Sequence, residues 1–82
     1  MRLRSERLVV RDLTATDLDA VHALLDLDLR REHRSRANRA RWLAWTIADY
    51  EQRALAHQPP YGEYAVELVQ TGQLVGLVGL VP

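Results

Sequence analysis

The hydrophobic pattern is strongest near the C-terminus, where two β-rich runs lie on either side of Thr71 and Gly72. The first run, from Glu63, alternates apolar and polar positions, as a half-buried strand does. The second, from Leu74 to Val81, is apolar on both faces, which is typical of a strand covered on both sides. Because Gly72 can adopt a positive φ, the pattern predicts a hairpin over about 63–81 with a tight two-residue turn.

The preceding chain predicts one strand and two helices. A β-rich run indicates a strand over about 7–13. Thr14 and Asp17 have the spacing of a capping box, and apolar residues three and four apart follow them, so a helix is expected over about 15–28. Ser35 can cap a second helix over about 36–57, which Pro59 and Pro60 end. Its apolar stripe comprises Ala40, Leu43, Ile47, Tyr50 and Ala54.

This order of elements predicts an α+β fold. A three-stranded antiparallel sheet would carry both helices on one face, and 82 residues leave room for one small domain. A strand that is apolar on both faces needs a second covering layer and a paired edge. We therefore expect residues 1–82 to be a single truncated domain. Its Leu74–Val81 edge would be open to a complementing half or to a second copy of the chain.

Charge and composition narrow the functional classes. Eleven arginines balance eleven acidic residues, and the sequence has no cysteine, which excludes disulfides and a thiol nucleophile. The run Arg30–Arg41 holds six arginines and one glutamate, a net +5. This run fits either a solvated helix face or a surface for an anionic partner. Only Trp42 lies beside it, whereas nucleic-acid modules interleave aromatic and basic residues, so nucleic acid is not the expected partner.

Motifs for catalysis, metals and membranes are absent from the sequence. No nucleophile elbow, phosphate-binding loop or dinucleotide fingerprint occurs, so the catalytic residues are unknown. The three histidines lack carboxylate companions at metal-binding spacing, and no metal is expected. No apolar run is long enough for export or for a bilayer, so a cytoplasmic protein without membrane attachment is expected. Trp42 and Trp45 fit either the edge of the core or the lining of an acceptor pocket.

Two segments resemble a known family. Residues 5–25, Ser-Glu-Arg-Leu-Val-Val-Arg-Asp-Leu-Thr-Ala-Thr-Asp-Leu-Asp-Ala-Val-His-Ala-Leu-Leu, resemble the opening of GNAT-family N-acetyltransferases. They are closest to the branch that acetylates ribosomal-protein N-termini and related amines. Residues 61–80, Tyr-Gly-Glu-Tyr-Ala-Val-Glu-Leu-Val-Gln-Thr-Gly-Gln-Leu-Val-Gly-Leu-Val-Gly-Leu, are similar to the second and third strands of that branch. The likeness includes the Thr-Gly turn and the Gly-x-x-Gly-Leu ending.

The resemblance implies transfer of an acetyl group from acetyl-CoA to an amine, either a protein N-terminus or a small amine. In the family, a loop of the form Arg/Gln-x-x-Gly-x-Gly/Ala at a helix N-terminus holds the cofactor pyrophosphate. This sequence has no such loop, so no cofactor-binding residue is carried over. The chain would form the N-terminal half of the enzyme, on the acceptor side, and is expected to be inactive alone. Candidates for the acceptor wall are Arg30, Arg31, His33, Trp42 and Tyr64.

Several alternatives stay open. The chain could be a fragment of a full enzyme, one part of a split enzyme, or a remnant that pairs with itself through its open strand. A different functional class is a non-catalytic interaction module. Such a module would add a partner strand at Leu74–Val81, or bind an anionic partner through Arg30–Arg41.

Overall fold

A computed structural model describes residues 2–26 and 35–81. The predicted end of the first helix, at residue 28, lies outside these residues. The elements are β1 (Arg2–Arg4), β2 (Leu8–Arg11), a 3-10 turn (Ala15–Asp17), α1 (Leu18–Asp26), α2 (Arg36–Leu55), β3 (Gly62–Leu68) and β4 (Leu74–Leu80). Two helices and an antiparallel sheet confirm the predicted α+β class.

The sheet has four strands in the order β1-β2-β3-β4, one more than the sequence predicts. The additional strand, Arg2–Arg4, pairs with β2 so that Leu3 lies opposite Val10. Ser5 closes the turn between them: its N–H donates to the Leu8 carbonyl at 2.8 Å, and its Oγ accepts from the Leu8 N–H at 3.1 Å. The strand has three residues and a single apolar side chain, too short for a sequence pattern to indicate.

The connection between β3 and β4 spans residues 69–73 and is longer than the predicted two-residue turn. Gly72 has the expected positive φ of 72°, and its N–H donates to the Leu68 carbonyl at 2.8 Å. The register then shifts: Val66 lies opposite Gly76, whereas Glu67 lies opposite Leu74. One additional residue of β4 therefore forms a β-bulge beside the turn, and the sequence did not predict it.

Both predicted helix caps are present. The Thr14 N–H donates to Asp17 Oδ2 at 2.8 Å, and the Asp17 N–H donates to the Thr14 carbonyl at 3.0 Å. Ser35 Oγ accepts from the Asn38 N–H at 3.1 Å at the start of α2. These bonds satisfy N–H groups that have no partner within the helix, so local sequence determines where each helix begins.

The core lies between the two helices and one face of the sheet. Its fully buried members are Leu13, Val21, Leu43 and Ala65, and the helix side chains Leu18, Leu25, Trp42, Ile47 and Tyr50 pack against them. On α2 the predicted stripe is correct at Leu43, Ile47 and Tyr50, but Ala54 at its end is exposed. Trp45 is 67% exposed and Leu55 is 73% exposed, so neither contributes to the core. No helix in the described ranges is both long and apolar enough to cross a bilayer.

The two faces of the sheet differ in what covers them. Cross-strand partners share a face, and Ala65 pairs with Leu77 on the face that packs against the helices. The opposite face, here called the open face, includes Leu8, Val10, Tyr64, Val66, Leu68, Val78 and Leu80. Leu8, Val78 and Leu80 are each 39% exposed. Tyr50 of α2 stacks on Tyr64 at one end of this face, and the core cluster described above contains none of the residues of this face.

Candidate functional site

A cleft of about 220 Å³ lies where β2 ends and β3 begins, against the last turns of α2. We call it the tyrosine cleft. Its lining comprises Asp12, Tyr50, Arg53, Ala54, Gln58, Pro60 and Tyr64. Three elements position these groups: Asp12 directly follows β2, Tyr50 and Arg53 are one turn apart on α2, and Tyr64 is on β3. The cleft thus combines a carboxylate, a guanidinium and two phenols.

Tyr50 and Tyr64 stack on each other, with ring centroids 5.1 Å apart and ring planes 15° apart. Tyr64 is buried, and its hydroxyl donates to the Pro60 carbonyl at 2.7 Å. The Tyr50 hydroxyl accepts from the Leu13 N–H at 3.2 Å and donates to the Glu63 carbonyl. Tyr50 therefore links α2 to both strands that border the cleft.

Both phenols are held in the neutral form. Burial, with a smaller contribution from the nearby Asp12 carboxylate, raises the pKa of Tyr50 to about 12. Burial also raises the pKa of Tyr64, again with a contribution from Asp12. A buried phenolate would have to lose its hydration, so the neutral phenol is favoured. At physiological pH each hydroxyl therefore keeps its proton and donates it to a backbone carbonyl.

Replacing Tyr50 with phenylalanine is expected to lower the free energy of unfolding by about 2 kcal/mol. The change keeps the ring but removes the acceptor for the Leu13 N–H and a donor to the Glu63 carbonyl. Urea denaturation measures the effect. Tyr61→Phe is the matched control, because among the described residues the Tyr61 hydroxyl makes no hydrogen bond. Equal stability of the two variants would show that the Tyr50 hydroxyl contributes nothing.

Arg53 supplies the positive charge of the cleft. Its Nε donates to Asp49 Oδ2 at 2.8 Å, one turn back along α2. Its guanidinium carbon lies 5.8 Å from the centroid of the Tyr61 ring, within the range of a cation–π contact. The ion pair and the aromatic ring fix the direction of a long side chain that would otherwise be mobile. Arg53 and Asp12 therefore give the cleft one charge of each sign.

A partly buried ion network next to the cleft fixes the end of β2. Arg11 donates from Nη1 and Nη2 to the two carboxylate oxygens of Asp17, both at 2.9 Å, and from Nε to Glu67 Oε2 at 2.8 Å. Nη1 also donates to the Asp12 carbonyl at 2.9 Å. The network joins β2, the 3-10 turn and β3, and it holds the backbone from which the Asp12 side chain extends.

The network shifts the pKa of both its central members. The hydrogen bonds from Arg11 lower the pKa of Asp17 and outweigh the opposing effect of its burial. In the same way, the hydrogen bonds to Asp17 raise the pKa of Arg11 above its usual range. Each charge stabilises the other, so the pair stays ionised although Asp17 is only 7% exposed.

The lowered pKa of Asp17 predicts a loss of stability in acid. A carboxyl whose pKa is lower in the folded state gives stability that is present above its unfolded pKa and is lost as pH falls through the folded pKa. We expect the urea midpoint of the wild type to fall more steeply below about pH 4 than that of Asp17→Asn. Asp19→Asn is the control, since the Asp19 side chain is 80% exposed. If the urea midpoint of Asp17→Asn falls with pH as steeply as that of the wild type, Asp17 does not cause the loss of stability in acid.

A second polar cluster lies at the other end of α2. Arg39 is 3% exposed; its Nη1 donates to the His22 carbonyl and its Nη2 approaches Asp26 Oδ1, both at 3.3 Å. His22 Nε2 lies 3.4 Å from Asp26 Oδ2. This cluster joins the end of α1 to the start of α2. Two of its buried nitrogens, Arg39 Nε and His22 Nδ1, have no partner among the described residues.

Within the basic run, the described arginines make contacts inside the chain. Arg36 pairs with Asp19, and Arg41 donates to Asn38. Arg39 is buried between the helices, so it does not belong to a solvated face. The other three arginines of the run, at positions 30, 31 and 34, lie outside the residues that the structure describes. Binding of an anionic partner by Arg30–Arg41 stays a prediction.

Of the five candidate acceptor-wall residues, the structure describes Trp42 and Tyr64. The other three, Arg30, Arg31 and His33, lie outside the described residues. Trp42 packs against the core, and Tyr64 lines the tyrosine cleft. Tyr64 stacks on Tyr50, which lies eight residues after Trp42 on α2, about 12 Å along the helix axis. The two aromatic candidates are therefore associated with different parts of the helix.

Sequence reasoning did not assign Asp12, Tyr50 and Arg53 to a site. Tyr50 was predicted as a member of the apolar stripe of α2, and nothing in the sequence indicated a role for its hydroxyl. Arg53, three residues later, lies on the same side of the helix, which is the clue that could have joined them. Within the described ranges, no group of three or more His, Cys, Asp or Glu side chains could hold a metal ion.

Comparison with known proteins identifies a shared fold. No protein-family model matches the sequence, and no curated protein matches it. Among solved structures, the chain is similar to a protein described as a GnaT-family acetyltransferase from Bordetella pertussis, with a TM-score of 0.66 and 20% sequence identity. The likeness covers 96% of this chain and 45% of that chain, so this chain spans less than half the length of its structural neighbour. The chain therefore shares its fold with part of that acetyltransferase, as the predicted GNAT-like architecture requires.

Proposed function

We propose that this chain is the acceptor-side, N-terminal portion of a GNAT-type acetyltransferase, which transfers an acetyl group from acetyl-CoA to an amine. The amine would be a protein N-terminus, as in the ribosomal-protein branch, or a small molecule. The single observation that carries this proposal is the fold: nearly all of the chain superposes on less than half of a GnaT-family protein.

Two features of the sheet support an incomplete domain. The open face is apolar, and its residues Leu8, Val78 and Leu80 are each 39% exposed. β4 is also the last strand of the sheet, with β3 on one side only, and its outer edge presents unpaired backbone groups. Val81, just beyond β4, is 81% exposed. An additional strand and an additional helical layer would satisfy both features.

The residues present do not fit the pyrophosphate of acetyl-CoA. The family loop Arg/Gln-x-x-Gly-x-Gly/Ala does not occur in these 82 residues. Gly76 and Gly79 lie within β4, where backbone N–H groups belong to the sheet and do not form an anion cradle at a helix N-terminus. Binding of acetyl-CoA would therefore depend on residues other than these, and the chain is expected to be inactive alone.

The experiment is an acetyl-transfer assay on the natural assembly. The gene is tagged in its host at the position that encodes the N-terminus, and the product is purified under native conditions with everything bound to it. It is incubated with acetyl-CoA labelled in the acetyl group and with a panel of peptide N-termini and small amines. Transfer of label to an amine is expected from the natural assembly and not from the isolated 82 residues. Absence of transfer by the natural assembly to every amine in the panel would overturn the proposal.

A second candidate function is non-catalytic pairing through the outer edge of β4. It is favoured by Val75, Val78 and Leu80, which are 39–40% exposed on a strand without charge or proline. Light scattering coupled to size-exclusion chromatography measures the mass of the purified chain. A concentration-dependent dimer that the substitution Val78→Lys abolishes would support this function. A strict monomer at all concentrations would exclude self-pairing.

A further inference from the structure

The side of α2 that faces away from the core carries a regular stripe of exposed residues. Its members are spaced alternately by four and three positions, which is the heptad spacing of a helix that pairs lengthwise with another helix. Each member is exposed to solvent, and the last of them, Leu55, is 73% exposed. We call this stripe the outer seam; it comprises Ala37, Arg41, Ala44, Ala48, Glu51 and Leu55.

The outer seam lies outside both the core and the surfaces that the proposed missing half would cover. α2 packs on the core through Leu43 and Ile47, which lie on the other side of the helix. An additional strand would pair with β4, and an additional helical layer would lie on the open face of the sheet. The outer seam would therefore stay exposed in a complete domain, so the missing half does not explain its pattern.

The two charged members of the outer seam have no counter-charge among the described residues. Arg41 donates to Asn38, but the amide of Asn38 is uncharged and leaves the charge of the guanidinium uncompensated. Glu51 is exposed and takes part in none of the ion pairs that the described residues form. Since about 15 Å of helix separates Arg41 from Glu51, they cannot pair within one chain. A complementary partner must present the two charges in the reverse order.

A second copy of α2 that runs antiparallel presents its charges in that reverse order. If the two-fold axis passes level with position 46, each residue lies opposite the one that is equally far beyond this position. Arg41, five residues before it, then lies opposite Glu51 of the second copy, five residues after it. Two-fold symmetry repeats the contact, so a single register forms two pairs of opposite charge.

The same register fits the uncharged members of the outer seam. Ala44 lies opposite Ala48 of the second copy on both sides of the axis, and alanines at the contact allow the helix axes to approach to about 8 Å. Ala37 lies opposite Leu55, which places a small side chain against a large one. Trp45, which is 67% exposed, borders the central alanines, so the second helix would cover part of its ring.

We propose that the chain forms a symmetric dimer through the outer seams of two antiparallel α2 helices. A parallel pair would bring Arg41 beside Arg41 and Glu51 beside Glu51, so the charges specify both direction and register. The outer seam is only about 27 Å long, and the dimer is therefore weak and dissociates on dilution. Stability measured at low protein concentration then belongs to the single chain. The proposal depends neither on acetyl transfer nor on pairing through β4.

Charge reversal tests the proposal, with light scattering coupled to size-exclusion chromatography over a dilution series of the purified chain. Arg41→Glu places a carboxylate opposite Glu51 of the second copy at two symmetric positions, and Glu51→Arg does the same with two guanidinium groups. Each variant is expected to dimerise at least about tenfold more weakly, because two attractions become two repulsions. The double variant Arg41→Glu/Glu51→Arg exchanges the charges and is expected to restore the dimer.

Two control variants separate the outer seam from other surfaces. Arg4→Glu makes the same change of charge at an exposed arginine of β1 and is expected to leave the dimer unchanged. Val78→Lys places a charge on the strand β4, so it reports on pairing through the sheet edge. Dimerisation through the outer seam is expected to persist in Val78→Lys.

Disulfide formation tests the register without changing the charges. The sequence has no cysteine, so a chain with Ala44→Cys and a chain with Ala48→Cys each carry a single thiol. The two chains are mixed in equal amounts and oxidised with glutathione disulfide. Opposite residues of closely packed helices lie within the Cα–Cα range of a disulfide. The mixed disulfide between the two variants is therefore expected in excess over random pairing.

Several outcomes would overturn the proposal. A wild-type chain that stays monomeric over the whole dilution series would contradict it. A dimer that Val78→Lys abolishes and Arg41→Glu leaves intact would assign the pairing to β4. A double variant that is folded by circular dichroism and does not recover the dimer would refute the charge pairing. If a charge variant does not fold, the disulfide experiment decides, and a random ratio of mixed to like disulfides would contradict the register.

Discussion

Replacing Arg11 with alanine is expected to lower the free energy of unfolding by about 3 kcal/mol. The side chain of Arg11 makes hydrogen bonds to Asp17 and Glu67, whose side chains are only 10% and 19% exposed. Removing the guanidinium leaves two carboxylates close together without a counter-charge and with little access to water. Breaking a buried pair from one side costs far more than a surface ion pair contributes.

Urea denaturation followed by circular dichroism measures the change. The control is Arg4→Ala, which removes an exposed arginine from β1 of the same sheet and should alter stability by less than about 0.5 kcal/mol. Because small domains have only about 5–15 kcal/mol of stability, the loss in Arg11→Ala should also be visible as a lower Tm. If Arg11→Ala and Arg4→Ala unfold at the same urea concentration, the network does not hold β2 to β3.

Leu43→Ala is expected to destabilise the chain by about 3 kcal/mol, through lost burial and the cavity left behind. Leu43 is 3% exposed and belongs to the cluster with Leu13, Val21 and Ala65, where α2 meets α1 and the sheet. Protein interiors are close-packed, so we expect most of the cost to remain after relaxation. The change is measured as a shift of the urea midpoint, with the dependence of the unfolding free energy on urea concentration unchanged.

Leu55→Ala is the matched control, because it makes the same substitution in the same helix at a position that faces solvent. Leu55 is 73% exposed, so its replacement should change stability by less than about 0.5 kcal/mol. The pair therefore tests which side of α2 faces the core. Similar losses in the two variants would mean that the helix is rotated from the orientation described here.

The parts of the fold that depend on local chemistry were predictable from the sequence. Thr14, Ser35 and Gly72 each act through hydrogen bonds or backbone angles within a few residues, and each does what its position indicated. The helical periodicity around Leu43 likewise identified the buried side of α2. These signals are short-range, so one sequence is enough to detect them.

The parts that depend on distant residues were not predictable. Asp17 was predicted only as part of a capping box, but its carboxylate also binds Arg11. Arg11 in turn binds Glu67, which lies 56 residues after Arg11 in the sequence. The strand Arg2–Arg4 exists because β2 is available to pair with it. The bulge beside the β3–β4 turn alters the register through pairing geometry that the amino-acid types do not encode.

The tyrosine cleft shows the same limit at the level of function. Asp12, Tyr50 and Tyr64 come from three different elements, and only the folded arrangement brings a carboxylate near two stacked phenols. The resemblance to acetyltransferases indicated Tyr64 as a candidate acceptor-wall residue, and Tyr64 lines this cleft. It did not indicate Asp12 or Tyr50, because their proximity to Tyr64 depends on the fold.

The proposal that these residues form one portion of an acetyltransferase implies that they do not bind its cofactor by themselves. Equilibrium dialysis against labelled acetyl-CoA tests this claim most directly, with the isolated 82 residues and the natively purified assembly measured side by side. We predict saturable binding by the assembly and no saturable binding by the isolated chain. Saturable binding of acetyl-CoA at micromolar concentration by the isolated 82 residues would contradict the account.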